Sequence, residues 1–364
     1  MSAHLRRVVF NGKFRAGGLG GVHRVAARLI REVDAVLAYR NCSGDPPFAL
    51  VVPRGCAGGL DLAAIQVIED DRPASQAWEQ WRLPRLAAGG LLVNLANLAP
   101  VVHRPKVTLL HDAQFLRADS SYPWRQRLGY RLLTPLMARS SARVLTVSAF
   151  SAQELLRGGI TGDREADVLH NGADHVLEAP ADPAVLARLG LAPRGYALLF
   201  GSPKAYKNNA VVFAAFAAGA IAPLRLVVVG PPRAALEAAG LAPPPDAIFA
   251  GAADDAALRA LYENAEALLF PSRTEGFGLP PVEAMLCGCP VVAAPCGAVP
   301  EICGDAVRYA APDDPAGWRA ALAELAATPR LPLVLAGAAQ ARRYTWARAG
   351  QTLFALLCDL AQQP

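Results

Sequence analysis

The sequence predicts an α/β protein with two domains, each built on a parallel β-sheet. The chain has 364 residues, of which 53 % are hydrophobic and 18 % charged, enough length and apolar material for two cores. Short apolar runs such as Ala267–Phe270 are typical of buried parallel strands. In each half of the chain one such run leads into a glycine-rich loop and then a helical pattern. Strand, loop and helix in that order form the repeating unit of a parallel sheet.

The first of these units occupies residues 7–30. A short strand at 7–10, apolar at 8–10, precedes the glycine loop at 17–21, and residues 22–30 carry apolar side chains at helical spacing. We expect a Rossmann-like half here. The glycines are out of register for a dinucleotide fingerprint, because His23 stands where the third glycine would be. The loop either approaches the phosphate of a donor or an acceptor, with Gly20 and Gly21 as donor-binding residues, or is a flexible turn.

The second unit, residues 267–294, is the most informative stretch. Glycines in its loop allow a tight turn, and the Pro-Pro pair at 280–281 suits the first turn of a helix. Gly288 and Pro290 end that helix before the next apolar run. The start of the helix therefore points to the carboxyl ends of the strands, where its free N–H groups and positive dipole favour a phosphate.

Two carboxylates flank this predicted anion site, Glu275 in the loop and Glu283 in the helix. Carboxylates repel phosphate but accept hydrogen bonds from hydroxyl groups. A ligand with hydroxyls on both sides of a phosphate is a nucleotide sugar. The alternative is structural, with Glu283 complementing the helix dipole and Glu275 solvated.

Residues 275–293, EGFGLPPVEAMLCGCPVVA, resemble the donor-site signature of the family 4 retaining glycosyltransferases, which have the GT-B fold. The resemblance implies two Rossmann-like domains facing across a cleft, with a C-terminal helix crossing back to the N-terminal domain. The boundaries we expect are an acceptor domain at 1–175, a donor domain at 176–340 and the returning helix at 341–364. By the same resemblance, Glu275 binds the hydroxyls of the donor sugar and Glu283 the nucleotide ribose. The loop residues Gly276, Phe277, Gly278 and Leu279 lie near the sugar and diphosphate.

The loop at residues 201–209, GSPKAYKNN, resembles the segment of this family that holds the leaving diphosphate. The match assigns that contact to Lys207. Ser202 stands where many members have arginine. Either Lys204 supplies the second positive charge or the leaving group is held more weakly.

His111 and Asp112 follow the apolar strand at 106–110, and the carboxyl ends of parallel strands are where α/β proteins bind ligands. The resemblance implies that His111 reaches the transferred sugar. We expect Asp112, with His23 and Arg24 after the first glycine loop, to bind the acceptor. The alternatives are a structural hydrogen bond at His111 and a solvated helix face at His23 and Arg24.

Together these matches imply a retaining hexosyltransferase with His111, Glu275 and Lys207 as its catalytic residues. The pattern is most like bacterial exopolysaccharide and O-antigen mannosyltransferases, so GDP-mannose is the favoured donor. The expected acceptor is a glycan or a polyprenyl-diphosphate-linked saccharide of surface polysaccharide synthesis. The sequence has no Asp-x-Asp, and we expect cations and the helix dipole to act instead of a metal, with no cofactor. A nucleotide-sugar hydrolase or epimerase of the same fold is the alternative.

Positive charge is concentrated in the first half of the chain. Residues 1–175 hold 22 Lys/Arg and 15 Asp/Glu, whereas residues 176–364 hold 14 and 16. An anionic partner is expected in the first half. The sequence pI of about 8.9 also raises the question of nucleic-acid binding, but no nucleic-acid motif is present and we expect none.

The segment Arg117 to Arg143 has six arginines, one acidic residue and the aromatic residues Tyr122 and Trp124. It predicts either peripheral contact with an anionic membrane or an ordinary amphipathic helix with a solvated basic face. No apolar run reaches the length of about 18 residues that a membrane span needs, and no signal peptide is apparent. The expected location is the cytoplasm, and the membrane alternative would place the protein at the inner face of the plasma membrane.

Four cysteines, Cys287, Cys289, Cys296 and Cys303, raise the question of a metal site. Their spacing lacks the Cys-x2-Cys pairs of zinc sites. We expect buried, reduced thiols and no metal centre.

Overall fold

The computed structural model describes residues 5–18, 20–40, 46–117, 124–218, 221 and 224–363. This part of the chain forms two units. Unit 1 comprises residues up to 117, residues 124–171 and the C-terminal residues from 346, and unit 2 comprises residues 172–345. The chain thus leaves unit 1, builds unit 2 and returns to unit 1 for its last helix.

Unit 1 contains a seven-stranded sheet in the order β3-β2-β1-β4-β5-β6-β7, and every pair of neighbours is parallel. Its strands are β1 (Val8–Asn11), β2 (Phe48–Val52), β3 (Gln66–Glu69), β4 (Leu91–Asn94), β5 (Lys106–Leu110), β6 (Arg143–Thr146) and β7 (Asp167–Val168). The central strands are wholly buried because their runs of apolar residues are covered on both faces.

The α-helices of unit 1 cover this sheet. They are α1 (Gly21–Arg40), α2 (Leu83–Leu86), α3 (Trp124–Arg139), α4 (Ala149–Arg157) and the returning helix α13 (Trp346–Gln362). A π-helical turn, Trp78–Arg82, precedes α2. The helix α13 packs on α1, and its Phe354 ring stacks on Phe48 with centroids 5.9 Å apart.

Unit 2 contains a six-stranded parallel sheet in the order β10-β9-β8-β11-β12-β13. Its strands are β8 (Tyr196–Phe200), β9 (Arg225–Val229), β10 (Ile248–Gly251), β11 (Ala267–Phe270), β12 (Val291–Ala293) and β13 (Arg308–Tyr309). Its α-helices are α5 (Ala184–Leu189), α6 (Asn209–Ala217), α7 (Arg233–Ala238), α8 (Asp255–Asn264), α9 (Leu279–Leu286), α10 (Val299–Cys303), α11 (Pro315–Ala327) and α12 (Arg330–Ala341). Side chains of β8, β9, β11, α6 and α11 form a buried apolar core around Trp318.

Each sheet has one point where the strand order reverses. In unit 1, β1 lies between β2 and β4, and in unit 2, β8 lies between β9 and β11. Connections leave the two central strands of each sheet in opposite directions, which opens a crevice at their carboxyl ends. These two points, β1/β4 and β8/β11, are where the fold favours ligand binding.

Within the described residues, no single helix is long and apolar enough to cross a membrane. One pair of helical stretches, Pro315–Ala327 with Arg330–Gln362, passes that test by length and composition together, but it is bent by 108°.

Candidate functional site

The fold of unit 2 brings together the two loops that the sequence singles out. One follows β8 at residues 201–208, and the other follows β11 at residues 271–278. Their backbones are joined, since Arg273 N–H donates to the carbonyl of Tyr206 at 2.8 Å. Asn208 Nδ2 donates to the carbonyl of Pro271 at 3.2 Å. Both loops therefore lie at the carboxyl ends of β8 and β11, where the strand order reverses.

Lys207 and Glu275 meet at this point. Lys207 Nζ donates to Glu275 Oε1 at 2.7 Å, and the two side chains are 27 % and 13 % exposed. The ammonium also lies 5.3 Å from the ring centroid of Tyr206 and 5.7 Å from that of Phe270. Aromatic faces attract a cation, so the charge is held in a half-buried position at the loop junction.

The backbone at Glu275 is held by a neighbouring glycine. Gly297 has φ +63°, and a Cβ there would lie 2.5 Å from Glu275 N and 2.8 Å from Glu275 O. Ala298 N–H donates to the same Glu275 carbonyl at 3.0 Å. Only glycine allows this close approach, so the position of the carboxylate depends on Gly297.

The helix α9 begins directly after this loop. Gly278 precedes it with φ +91°, Pro280 and Pro281 fill its first turn, and no side chain caps its first N–H groups. Phe277 is buried and packs edge-on against Tyr344 at 5.4 Å between centroids. Gly276 is half-buried in the loop. The helix start therefore offers backbone donors and a positive dipole beside Lys207 and Glu275.

Glu283 is buried on α9 and is held by two partners. Its Oε1 lies 3.2 Å from His175 Nε2, and its Oε2 accepts from the Tyr262 hydroxyl at 3.1 Å. Burial, with the nearby Glu283 carboxylate, raises the pKa of Tyr262 well above its usual value. The phenol therefore stays protonated and keeps donating. Each carboxylate oxygen has a second lone pair that can accept from a ligand hydroxyl.

Ser202 and Lys204 lie in the loop after β8. The Ser202 N–H donates to Asn209 Oδ1 at 2.6 Å, and the Ser202 hydroxyl accepts from Lys204 N–H at 3.3 Å. The Lys204 side chain is exposed, with Nζ 5.9 Å from the Tyr206 ring centroid. Ser202 thus shapes the loop, and Lys204 is a second cation beside the same aromatic ring.

His111 lies in unit 1, directly after β5. It is buried, and Nε2–H donates to the Leu95 carbonyl at 2.9 Å. Burial lowers the pKa of His111 to about 4. The imidazole is therefore neutral near pH 7 with its proton on Nε2, and Nδ1 can accept a hydrogen bond.

The other unit 1 candidates lie around the glycine loop and after β5. Gly21 is the first residue of α1, and Arg24 N–H donates to the Gly20 carbonyl at 3.0 Å. His23 Nδ1 bonds to the Gly18 carbonyl. Asp112 Oδ1 accepts from Gln114 N–H at 3.0 Å, which closes a turn. Their contacts to an acceptor stay a prediction.

His175 and Tyr262 were not predicted from the sequence, although they hold Glu283. Each lies far from residue 283 in the chain, and tertiary packing alone brings them together. Unit 2 also has a pocket of about 780 Å³ whose lining includes Arg194, Glu266 and Arg330. Arg194 and Glu266 come just before β8 and β11, so this pocket opens at the amino ends of the strands, away from the predicted donor loops.

The described residues contain no group of three or more His, Cys, Asp and Glu side chains that could hold a metal ion. Burial raises the pKa of the Cys287, Cys289 and Cys303 thiols to about 12. These thiols are therefore protonated at neutral pH.

Residues 195–328 match the model of the family described as "Glycosyl transferases group 1". Among curated proteins, the chain is 32 % identical over 280 residues to a D-inositol 3-phosphate glycosyltransferase of Segniliparus rotundus, covering 68 % of this chain and 60 % of that protein. It is 31 % identical over 227 residues to O-antigen chain mannosyltransferase B of Escherichia coli, covering 57 % and 58 %. The chain thus matches about three-fifths of the length of these relatives.

Solved structures with the same fold include the sucrose-phosphate synthase of Thermosynechococcus elongatus, with a TM-score of 0.73 at 16 % identity and coverage of 98 % and 99 %. The Anabaena protein HepE in complex with UDP and glucose has a TM-score of 0.69 at 19 % identity, with coverage of 97 % and 100 %. These likenesses confirm the predicted fold class, an α/β protein with the two Rossmann-like domains of the GT-B fold. The resemblance to glycosyltransferases is confirmed by the family match.

Proposed function

We propose that this protein is a retaining hexosyltransferase. The proposal starts from residues 195–328, which match the group 1 glycosyl transferase family. It moves a hexose, with mannose favoured, from a nucleotide sugar to a glycan or lipid-linked saccharide of surface polysaccharide synthesis. The observation that carries the proposal is the 2.7 Å pair of Lys207 and Glu275 beside the start of α9. It combines a cation and backbone donors for a diphosphate with a carboxylate for sugar hydroxyls.

The chemical step needs stabilisation of the negative charge that grows on the leaving diphosphate. Lys207 and the backbone N–H groups of residues 277–279, at the start of α9, supply it as fixed positive charge and dipoles. Lys204, beside the same Tyr206 ring, adds a second cation. The lysines and the helix start thus stabilise the diphosphate charge that a metal ion stabilises in other enzymes. The sequence contains no Asp-x-Asp, which favours this metal-independent mechanism.

Glu275 and Glu283 orient the donor on either side of its diphosphate. Glu275 accepts hydrogen bonds from the sugar hydroxyls, and Glu283 accepts them from the ribose. The contacts of Glu283 with His175 and Tyr262 at 3.2 and 3.1 Å support this, because a carboxylate held by two partners is pre-organised for a ligand. His111 accepts a hydrogen bond from a hydroxyl of the transferred sugar through Nδ1.

Mannose is favoured because of the relatives that the chain resembles. Besides the E. coli protein, the chain is 29 % identical over 247 residues to an MMP alpha-(1->4)-mannosyltransferase of Mycolicibacterium hassiacum. GDP-mannose is therefore the first donor to test. UDP-glucose is the second, because the fold is shared with HepE, whose structures hold UDP and UDP-glucose.

The location we propose is the cytoplasmic face of a membrane, with α3 as the contact. The helix exposes Trp124, Leu128, Leu132 and Leu136, which are spaced four residues apart and are 70, 50, 62 and 54 % exposed. The exposed arginines 125, 131 and 139 lie on the same helix, and Trp124–Arg139 contains no acidic residue. An exposed helix face that carries both apolar side chains and arginines suits an anionic lipid surface. Residues 118–123 of the predicted basic segment, including Tyr122, lie outside the described residues.

The donor site is tested by thermal unfolding with GDP, UDP, dTDP and their sugars. A ligand that binds only the folded state adds about 2.7 kcal/mol of stability at a hundred times its Kd. We expect one nucleotide series to raise the Tm of the wild type by several degrees and to have little effect on Glu283→Ala. Glu237→Gln, at an exposed glutamate of α7, serves as the control and keeps the full shift.

Transfer is then measured with the stabilising nucleotide sugar and a mannosyl acceptor, and the anomeric configuration of the product is read by NMR. Retention in the product supports the proposal. Release of free sugar with no transferred product would indicate a hydrolase instead. No stabilisation by any nucleotide sugar at millimolar concentration would contradict the donor site.

A further inference from the structure

Unit 1 has a pocket of about 540 Å³ at the carboxyl ends of β1 and β4, where its strand order reverses. Asn11 and Asn94, the last residues of these two strands, lie at this point. The pocket is bordered by the glycine loop through Gly17 and His23, and by α3 through Gln126. Its position corresponds to that of the Lys207–Glu275 pair in unit 2, but its chemistry is different.

The charged groups of this pocket, Lys13 and Glu79, are paired with each other. Lys13 Nζ lies 2.7 Å from Glu79 Oε2, and the side chains are 18 % and 3 % exposed. Glu79 Oε1 accepts from Asn11 Nδ2 at 2.9 Å, and that amide also donates to Asn94 Oδ1 at 3.0 Å. The ammonium charge is therefore cancelled by a buried carboxylate that is fixed by hydrogen bonds.

Glu79 cannot easily turn away from this position. It belongs to the π-helical turn Trp78–Arg82, whose Trp78 Nε1 donates to the buried Asp70 at 2.8 Å. Arg82 binds the same Asp70 with its guanidinium at 2.8 Å. The pocket thus carries a fixed negative charge beside its lysine.

The remaining described lining suits an uncharged ring. Apart from His23, its side chains are neutral, with polar groups at Ser75 and Gln126 and an aromatic face at Tyr130. Amides and hydroxyls bind sugar hydroxyls, and an aromatic face packs against a sugar ring. A phosphate would meet the Glu79 carboxylate and only one, already neutralised, lysine.

We propose that this pocket is the acceptor subsite and that it selects an uncharged saccharide over a phosphorylated ring. The inference rests on the proposed transferase function and narrows its acceptor class. Any phosphate of a lipid-linked acceptor lies outside this pocket. The excess positive charge of the first half of the chain serves other contacts, because Lys13 brings no net charge to this pocket.

The test compares two matched pairs of probes that differ only in a phosphate. These are methyl α-D-mannopyranoside with its 6-phosphate, and myo-inositol with D-myo-inositol 3-phosphate. Affinities are measured by ligand-observed NMR on the full chain, both without nucleotide and with millimolar GDP or UDP. We expect the wild type to bind the neutral member of at least one pair about tenfold more tightly, since a phosphate that enters the pocket loses hydration and meets only a lysine that is already paired with Glu79.

Two variants change the charge of the pocket. Glu79→Gln frees the charge of Lys13, and Gln126→Lys adds a cation on the exposed face of α3 without touching the buried pair. Both are expected to reduce the preference for the neutral probe about tenfold, and Gln126→Lys covers the case in which Glu79→Gln fails to fold. Gln153→Lys adds the same charge at an exposed position of α4 outside the pocket lining, so it is the matched control and keeps the wild-type preference.

Equal or tighter binding of the phosphorylated probes by the wild type would overturn the inference. The inference would also be overturned if no neutral probe bound although a nucleotide raised the Tm of the wild type and not that of Glu283→Ala. If the neutral probes bind here and no nucleotide stabilises the chain, the proposed transferase function fails and the neutral-ring selectivity of the pocket stands.

Discussion

Lys207 and Glu275 neutralise each other across 2.7 Å in the absence of a donor. Partly exposed ion pairs contribute about 0–1 kcal/mol to stability, so the value of this pair lies in positioning rather than in folding. A donor diphosphate would share the ammonium with the carboxylate. The Glu275 carboxylate is therefore expected to weaken the binding of the diphosphate and to strengthen the binding of the sugar.

Glu275→Gln is expected to strengthen the binding of the nucleoside diphosphate and to weaken that of the nucleotide sugar. The diphosphate gains because Lys207 loses its competing anion, by roughly threefold to tenfold. The sugar loses because an amide is a weaker acceptor for its hydroxyls than a carboxylate. Isothermal titration with GDP and GDP-mannose, or the UDP pair, measures both. Lys207→Met should weaken both ligands, and equal weakening by Glu275→Gln would contradict the assignment to the sugar.

His111 is expected to remain neutral across the pH range in which histidine usually titrates. Its pKa is lowered to about 4 by burial, against about 6.5 in an unfolded chain. Between pH 6.5 and pH 4 the His111 ring is protonated in the unfolded chain but neutral in the folded chain. The folded state is therefore destabilised as the pH falls from 6.5 toward 4, by about 3 kcal/mol in total.

Two measurements check this prediction. Long-range ¹H–¹⁵N spectra should show His111 protonated on Nε2 with unchanged shifts from pH 8 to pH 5. The difference in unfolding free energy between wild type and His111→Gln should move against the wild type as the pH falls from 6.5. A titration midpoint near pH 6.5 for the His111 ring would show that burial does not lower the pKa of this histidine.

Some residue-level contacts could not be predicted from the sequence. The motifs around Glu275, Glu283 and Lys207 are continuous strings, so their loops and helix were identified from local pattern. Glu283 is held by His175, which is more than a hundred positions away, and Glu79 reaches Lys13 across 66 positions. Such pairs depend on strand order and packing, which no local pattern contains.

At the scale of loops and helices, Gly297 couples two neighbouring segments. Its φ of +63° and the close approach of Glu275 both require glycine. Gly288 is a matched position, with φ +68° but only Val334 Cγ1 within reach, at 3.6 Å. Alanine at either position costs about 1 kcal/mol for the left-handed backbone. Only at position 297 does the new Cβ collide with the backbone of the Glu275 loop.

Gly297→Ala should therefore weaken nucleotide-sugar binding about tenfold or more, whereas Gly288→Ala should leave it close to the wild type. The reason is that the loop must move, and a misplaced carboxylate loses its hydrogen bonds to the ligand. Titration calorimetry on both variants, with the Tm as a measure of folding, gives the comparison. Equal affinities for the two variants would mean that the position of the loop does not control the site.

The exposed stripe of α3 has a matched control elsewhere in the chain. Leu132 and Leu136 are 62 and 54 % exposed on the arginine-rich helix, and Leu331 and Leu335 are 64 and 60 % exposed on α12. We expect the wild type to sediment with vesicles rich in phosphatidylglycerol and to dissociate at high salt. Leu132→Gln with Leu136→Gln should remove this binding. Leu331→Gln with Leu335→Gln should retain it, and loss in both pairs would point to nonspecific hydrophobic adsorption.

The strands that were predicted and those that were missed differ in burial. The apolar runs of β1, β5 and β11 are buried on both faces, and each was identified from its sequence. The short strands β3, β7 and β13 lie at sheet edges, with largely exposed or half-buried residues. An edge strand needs no continuous apolar run, because one of its sides faces solvent. Its existence depends on the neighbouring strand offering hydrogen bonds.

At the scale of the whole molecule, both sheets place their charged groups where the strand order reverses. Unit 2 has Lys207 with Glu275 there, and unit 1 has Lys13 with Glu79. The sequence predicted two Rossmann-like halves from two strand–loop–helix patterns. The charged pair of unit 1 was missed because Glu79 comes from a π-helical turn outside any motif. Glu79 is brought next to Lys13 only when the sheet of unit 1 is assembled.

The return of the C-terminal helix to unit 1 gives the last prediction. Gly350 of α13 crosses α1 so closely that a Cβ would overlap Glu32 Cβ and lie 3.2 Å from the backbone carbonyl carbon of Glu32. Gly350→Ala should force the two helices apart and reduce the free energy of unfolding by about 1–3 kcal/mol. Gln351→Ala, at an exposed position of the same helix, should have almost no effect.

Because the strain falls in unit 1, the affinity for the nucleotide in unit 2 should be the same in wild type, Gly350→Ala and Gln351→Ala. Denaturant unfolding and titration calorimetry on these three proteins separate stability from binding. A loss of nucleotide affinity in Gly350→Ala that matches its loss of stability would mean that the returning helix also supports the donor site. Unchanged stability would mean that α1 and α13 can move apart without cost, and that the returning helix contributes little to the folding of unit 1.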